Sequence, residues 1–180
     1  MSYCKYVHQS DAHPLHKKYH DKAYGFPIYS DNELFGRLLL EINQAGLNWL
    51  TILKKEENFR KAYSNFEIEK VANYQEEDCE RLLQDAGIIR NKLKVNAAIY
   101  NANVILELQK EFGSFKNWLD QHHPLDLKNW VKLFKKHFKF TGGEICNEFL
   151  MSTGFLSGAH ENDCPVYQEI EKLNPAFLQA

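Results

Sequence analysis

The chain has 180 residues, 44% of them hydrophobic, and a formal charge of −2, enough apolar material for a core of its own and too little positive charge for an indiscriminate polyanion binder. That balance leaves room for a local basic face, because net charge does not describe distribution. No apolar run is long enough to cross a bilayer and the N-terminus lacks a signal-peptide core, so cytoplasmic residence is the expectation. Residues 1–29 hold few periodic apolar positions but many histidines and tyrosines, among them Tyr3, Tyr6, His8, His13, His16, Tyr19, His20, Tyr24 and Tyr29. This composition predicts an irregular segment held by packing or by a metal. A helix is expected from Asp31 to Gln44, opened by a capping box of Ser30 and Glu33. Its apolar face is Leu34, Phe35, Leu38, Leu39 and Ile42. A second helix follows from about Trp49 to Tyr63, then a short helical turn over Glu67–Tyr74. Glu76–Gln84 and Leu93–Lys110 read as two helices joined by Asp85–Asn91. Ser114 caps a short helix through Leu119, which ends before His122-His123-Pro124. Asp126–Phe138 and Glu144–Thr153 complete an all-α chain with short connections, one domain over 1–180.

Chemistry concentrates in Leu40-Glu41-Ile42-Asn43-Gln44-Ala45-Gly46-Leu47-Asn48-Trp49. Glu41 lies at the edge of the apolar helical face, where a carboxylate is either half-solvated at the rim of the core or inside a pocket. Ala45 and Gly46 allow close backbone approach, and Trp49 supplies a flat wall. A helix, a glycine stop and a core tryptophan fit the same letters. The hairpin Leu82–Lys92 carries a second set of alternatives. Gly87 can close its first helix in a left-handed conformation. Free N–H groups at the start of the next helix suit a phosphate, and Arg90, Lys92 and Lys94 add positive charge. Such a unit grips a nucleic-acid backbone without reading sequence; an ordinary helical hairpin would look the same.

Four cysteines in an intracellular chain are not expected to form disulfides. Cys79 and Cys146 fall within helical patterns and read as buried thiols. Cys4 and Cys164 lie near the two ends, as do His20 and His160. Two thiolates and two imidazoles suit a tetrahedral Zn²⁺, and such a site would close nearly the whole chain into a loop. With eight histidines present, four unrelated residues are the alternative.

Several blocks occurring in order make the chain recognisable: Tyr19-His20-Asp21, Glu41-x-x-Gln44-Ala45-Gly46-Leu47-x-Trp49, Leu53-Lys54-Lys55-x-Glu57-Asn58-Phe59-Arg60, Gln75–Asp78 through Asp85–Arg90, and Phe138-Lys139-Phe140-x-Gly142. From Cys4 to Cys164 the sequence resembles the bacterial 3-methyladenine DNA glycosylase I family. The resemblance implies an all-α helix–hairpin–helix fold, the hairpin element spanning about 76–110. It also implies a structural Zn²⁺ held by Cys4, His20, His160 and Cys164, which joins the segments 1–29 and 154–180. It implies that Glu41 recognises the damaged base in a pocket with Tyr6, His16, Tyr19, Tyr24 and Trp49. Gln44, Gly46, Leu47, Gly87, Ile88, Ile89, Arg90 and Lys92 are then the DNA-binding positions, with Leu47 wedged where the base has left. The implied partner is double-stranded DNA containing alkylated bases, bound by a monomer.

Those residue types suit a flipped, cationic base held between electron-rich rings. Its positive charge already activates the leaving group, so little acid catalysis is needed. No Asp stands in Tyr100–Glu107, where related glycosylases carry a catalytic one, and no lysine is placed as a Schiff-base nucleophile. The chain departs from the family pattern at Tyr6, His16, Ala23-Tyr24, Gly143-Glu144 and Gly158-Ala159. A catalytically altered DNA-binding relative, or a zinc-held helical interaction protein, are the alternative readings.

Overall fold

Helix starts follow the capping residues. Ser30, Asn48, Ser114 and Asp126 each accept a backbone N–H from three residues further on, which satisfies a donor that the first helical turn leaves orphaned. A computed structural model describes residues 2–179. In chain order its helices are α1 (Tyr3–Tyr6), α2 (Pro14–Lys22), α3 (Asp31–Gln44), α4 (Trp49–Ala62), α5 (Ile68–Ala72), α6 (Glu76–Gln84), α7 (Lys92–Phe112), α8 (Phe115–His122), α9 (Leu127–His137), α10 (Gly143–Ser152) and α11 (Pro165–Glu171). Short 3₁₀ turns lie at Ser64–Phe66 and Ala176–Leu178. Among the described residues there is no strand, and no helix is long and apolar enough to cross a membrane.

The helix α3 is the hub, buried from Leu34 to Asn43 on every side except at Arg37. It packs against α4, α7, α8 and α10. One large core cluster runs from Leu34 through Phe59, Phe66, Val95, Trp118 and Phe149 to Phe155. Gly36 lets Phe66 lie flat on the hub, because a Cβ there would meet the Phe66 ring at 2.4 Å. Asp31, in the first turn of α3, also receives Phe115 N and Lys116 N at 2.8 and 3.0 Å. One carboxylate thus stands at the N-terminal ends of two helices, where both macrodipoles favour it.

Three expectations change in detail. The segment 1–29 is not irregular throughout: it holds α1 and α2, the latter opened by His13 and Pro14. Its inward positions are His16, Tyr19 and His20, polar or amphipathic residues that an apolar period does not register. The Ser30–Glu33 capping box is half made, since Glu33 N reaches Ser30 Oγ while the Glu33 carboxylate takes a bidentate pair with Arg60 at 2.8 and 2.9 Å. Two charge-assisted bonds outcompete one reciprocal cap. The helix α8 continues past Leu119 to His122, and α11 was not foreseen.

Gly36→Ala is expected to destabilise the fold by about 1–3 kcal/mol through overpacking against Phe66. Urea unfolding followed by circular dichroism reads the effect; a midpoint unchanged from the parent contradicts the close contact.

Candidate active site and cysteine–histidine cluster

The last turn of α3 and the first of α4 meet α1, α2 and α10 around a cavity of about 710 Å³. Glu41 and Gln44 reach it from α3, Ala45 and Gly46 from the connection, and Trp49 from α4. Tyr3, Tyr19 and Tyr24 supply the aromatic side. Gly142, Gly143, Glu144, Ile145 and Glu148 close it from the start of α10. The ring centroid of Tyr19 lies 5.2 Å from Trp49 and 5.4 Å from Tyr24, and Tyr3 meets Tyr24 edge-on at 5.4 Å.

Glu41 is only 4% exposed. Burial pushes its carboxyl up to about 8, opposed by the Arg37 guanidinium and reinforced by Glu148. Arg37 does not pair with it. The guanidinium donates to Tyr19 Oη at 3.0 Å and to Ser152 O at 3.4 Å, and lies 5.1 Å from the Tyr19 ring centre. Burial likewise keeps the phenols of Tyr3, Tyr19 and Tyr24 neutral, their ionisation raised well above the usual range.

Most of the sequence-selected residues converge here, and two stand back. Tyr6 and His16 do not line the cavity; they meet each other at 5.1 Å behind Tyr3, whose hydroxyl lies 2.9 Å from His16 Nδ1. Residues to which the sequence assigned no role are Tyr3, Arg37 and Glu148, and Glu144 stood out there only as a departure from the family pattern. The i, i+4 spacing of Glu144 and Glu148 on an otherwise apolar helix was the available signal.

Beyond the cavity mouth, Gly46 adopts φ +83° and Leu47 N returns to Gln44 O at 2.7 Å. This turn leaves Leu47 39% exposed at its tip. It is held from below by Lys94, whose Nζ donates to Asn43 O at 2.9 Å and Ala45 O at 3.0 Å. Lys94 is therefore buried at the C-terminus of α3, where a cation satisfies both the carbonyls and the macrodipole, and it adds no charge to the hairpin surface.

In the hairpin, Arg90 and Lys92 are exposed. Ile88 is buried in the main core and Ile89 packs against it, so their side chains face inward. The backbone N–H groups of Ile89 and Arg90 make no hydrogen bond among the described residues. Gly87 is not left-handed. Its N–H donates to Asp85 Oδ1 at 2.7 Å, and a Cβ would meet that oxygen at 2.9 Å and Asn58 at 3.2 Å. Close approach, not positive φ, requires glycine there.

On the far side of Tyr19 and Tyr24 along the chain ends, Cys4, His20, His160 and Cys164 are all buried, with one ligand atom each within 4.8 Å of the others. His20 Nε2 and His160 Nδ1 are 3.2 Å apart, and the sulfur–nitrogen separations are 3.7 to 3.8 Å. The far ring nitrogens rest on Asp21 Oδ1 at 2.8 Å and Tyr24 O at 2.7 Å. Such outer partners fix each tautomer so that the inward nitrogens are free to bind a metal.

Lys94→Met leaves two helix-end carbonyls without a donor and is expected to cost about 1–3 kcal/mol. Hydrogen exchange should speed up at residues 45–48 before the rest of α3; uniform protection across both would contradict the anchoring role.

The sequence pattern of the Methyladenine glycosylase family matches residues 9–132. DNA-3-methyladenine glycosylase 1 of Escherichia coli (strain K12) is 36% identical over 93% of this chain and 97% of its own length. The DNA-3-methyladenine glycosylase of Haemophilus influenzae is 33% identical over 82% and 89%. Among solved structures, 3-methyladenine DNA glycosylase I from Staphylococcus aureus, studied for its recognition of 3-methyladenine, superposes with a TM-score of 0.79 at 32% identity. That match covers 89% of this chain and 94% of the other. On this sequence match and these relatives, the chain belongs to the methyladenine glycosylase family.

Proposed function

We propose that the protein is a DNA-3-methyladenine glycosylase, which hydrolyses the N-glycosidic bond of alkylated adenine in duplex DNA. The observation that carries this reading is the buried Glu41 carboxyl beside the Tyr19 and Trp49 rings, in a cavity opening next to the exposed Leu47 turn.

A base inside a duplex is out of reach, so it must be rotated into such a cavity. Methylation at N3 places a fixed positive charge on the ring. Each aromatic face attracts that cation by about 0.5–2 kcal/mol, and an ionised Glu41 adds Coulomb attraction and accepts from the exocyclic amine. Neutral adenine obtains only the hydrogen bond. Cleavage moves the positive charge from the base to the sugar, and water then adds to the sugar carbon with loss of a proton. The protein's part is to hold the base apart from the stack and favour the charge distribution of the transition state. No lysine is among the residues lining the cavity, which supports plain hydrolysis without a lyase step.

In this reading the helix–hairpin–helix element presents Gly87 and the free N–H groups of Ile89 and Arg90 to a phosphate, with the Arg90 and Lys92 side chains beside it. Gln44 and Gly46 shape the turn that drives Leu47 into the vacated stack. Tyr6 and His16 act from behind Tyr3 as support for the base wall, and the whole chain works as one domain, a monomer in the cytoplasm.

The Cys4–His20–His160–Cys164 set fits a structural Zn²⁺. Tetrahedral coordination at usual bond lengths needs about 3.3 Å between two nitrogens and about 3.6 Å between nitrogen and sulfur, close to the separations found. Four protein ligands leave no open position, so the metal would supply stability by clipping α1 and α2 to the segment before α11.

Release of free bases from methylated duplex DNA, separated by chromatography, tests the function. Wild type should release 3-methyladenine, and Glu41→Gln should release at least 100-fold less while still binding abasic DNA. Binding without release by the wild type would identify a DNA-binding relative instead.

The raised Glu41 carboxyl also sets a stability window. Between the unfolded value near 4.5 and the folded value of about 8, the unfolded state has already lost the proton that the folded state keeps. Stability therefore falls as pH rises through that window. Glu41→Gln should melt above wild type at pH 8, with the difference shrinking towards pH 5; a constant difference would refute the assignment.

Elemental analysis of the purified protein should give about one zinc per chain, and His160→Ala should lower both zinc content and melting temperature. Full thermal stability in metal-free protein would remove the clip.

A further inference from the structure

Three carboxylates line the cavity, and base recognition as described uses one of them. Glu148 stands on α10, half-buried, with its Oε2 receiving the Tyr24 hydroxyl at 3.3 Å. Burial raises its carboxyl, with Glu144 adding to the effect and Tyr24 opposing it. It is close enough to Glu41 to raise that group as well.

The charged and titratable groups facing the pair compensate it only in part, through Arg37. From α1, α2 and the connection after α2 come Tyr3, Tyr19 and Tyr24, all neutral phenols. From α10 comes Glu144, exposed at the rim, and α4 contributes the uncharged Trp49. From α3 comes Arg37, a cation with its hydrogen bonds spent on Tyr19 Oη and Ser152 O. No lysine, arginine or histidine lines the cavity. Two carboxylates sharing one partly buried cavity do not both ionise without cost. The missing positive charge has to come with the ligand.

We propose that Glu148 is a second base-recognition residue, which with Glu41 makes the cavity select purines carrying a fixed positive ring charge and give up one proton as such a base enters. This inference rests on the glycosylase reading for its ligand class. The balance is simple. A pair holding one proton plus a cationic base becomes an ionised pair around the cation, and one proton goes to solvent. Neutral adenine brings no charge to replace that proton, so it meets the pair unchanged. Charge selection then comes from two carboxylates on two packed helices, α3 and α10, and does not depend on the aromatic faces alone.

The test uses 3,9-dimethyladeninium, a fixed cation with a methyl group in place of the sugar, and neutral 9-methyladenine as its partner. Binding is followed by tryptophan fluorescence from pH 6 to 9. Wild type should prefer the cation, release about one proton per cation bound at pH 7 in weakly buffered solution, and bind it more tightly as pH rises. Glu148→Gln should lose about tenfold in affinity for the cation, the loss of about one pKa unit's worth of interaction, with little change for 9-methyladenine. Glu148→Asp, which restores the charge, should recover most of it. Equal losses for both ligands would reduce Glu148 to a structural residue, and so would wild-type binding without proton release. A wild type that prefers the cation and releases a proton but frees no base from methylated DNA would sink the glycosylase reading and leave this one standing.

Discussion

A carboxylic acid held out of water without a partner is the feature on which the rest of the arrangement turns. Glu41 sits on the last turn of the most buried helix, and ionising it there is costly. The obvious neutralising group, Arg37, is one helical turn away on the same helix, yet Tyr19 and the Ser152 carbonyl hold it aside. On the reading proposed above, a guanidinium paired with Glu41 would already occupy the charge that the ligand brings. Leaving Glu41 unpaired carries an unfavourable interaction, which on that reading a cationic base relieves, and the apolar packing of α3 on its neighbouring helices offsets the cost.

Lys94 links the turn beside the cavity to the hairpin before α7. Its ammonium closes the C-terminal end of α3 and also sits in the first turn of α7, three residues after Asn91 caps that helix. The turn bearing Leu47 and the hairpin bearing Arg90 and Lys92 are therefore tied to one buried cation. Lys55 and Asn58 of α4 complete the frame by donating to Ala86 O and Gly87 O across the hairpin. A backbone grip and a wedge fixed to the same frame can act on one strand in register.

The N-terminal segment is organised by polar aromatic packing in place of an aliphatic core. Tyr3 touches Tyr6, His16, Tyr19, His20 and Tyr24, so a single ring contributes to the cavity wall and to the surroundings of the cysteine–histidine cluster. Tyr24 bridges the same two places, with its hydroxyl on Glu148 and its carbonyl on His160. The cluster and the cavity are distinct sites that share a wall.

Much was legible before any coordinates. Apolar residues at helical spacing marked α3, α4, α7, α9 and α10, and side-chain caps such as Ser30 and Asp126 placed their starts within a few residues, because both signals are local. Cys4, His20, His160 and Cys164, like Glu41 and Trp49, were visible only as candidates from residue type and position, and the resemblance over several ordered blocks chose between them and the bland alternatives. What tertiary structure decided was whatever depends on the face a neighbour presents. Helices α1 and α2 were missed because tyrosine and histidine cover their inward sides. Lys94, grouped by its charge with the hairpin, is turned inward by the open carbonyls of α3, and Ile88 is drawn into the core beside it. Tyr3 displaced Tyr6 from the cavity, and Glu148 entered it only when α10 folded back onto α3. Periodicity tells a helix which side is apolar; it does not tell a polar side chain which cavity it will share, since that is set by contacts with other elements distant in the chain.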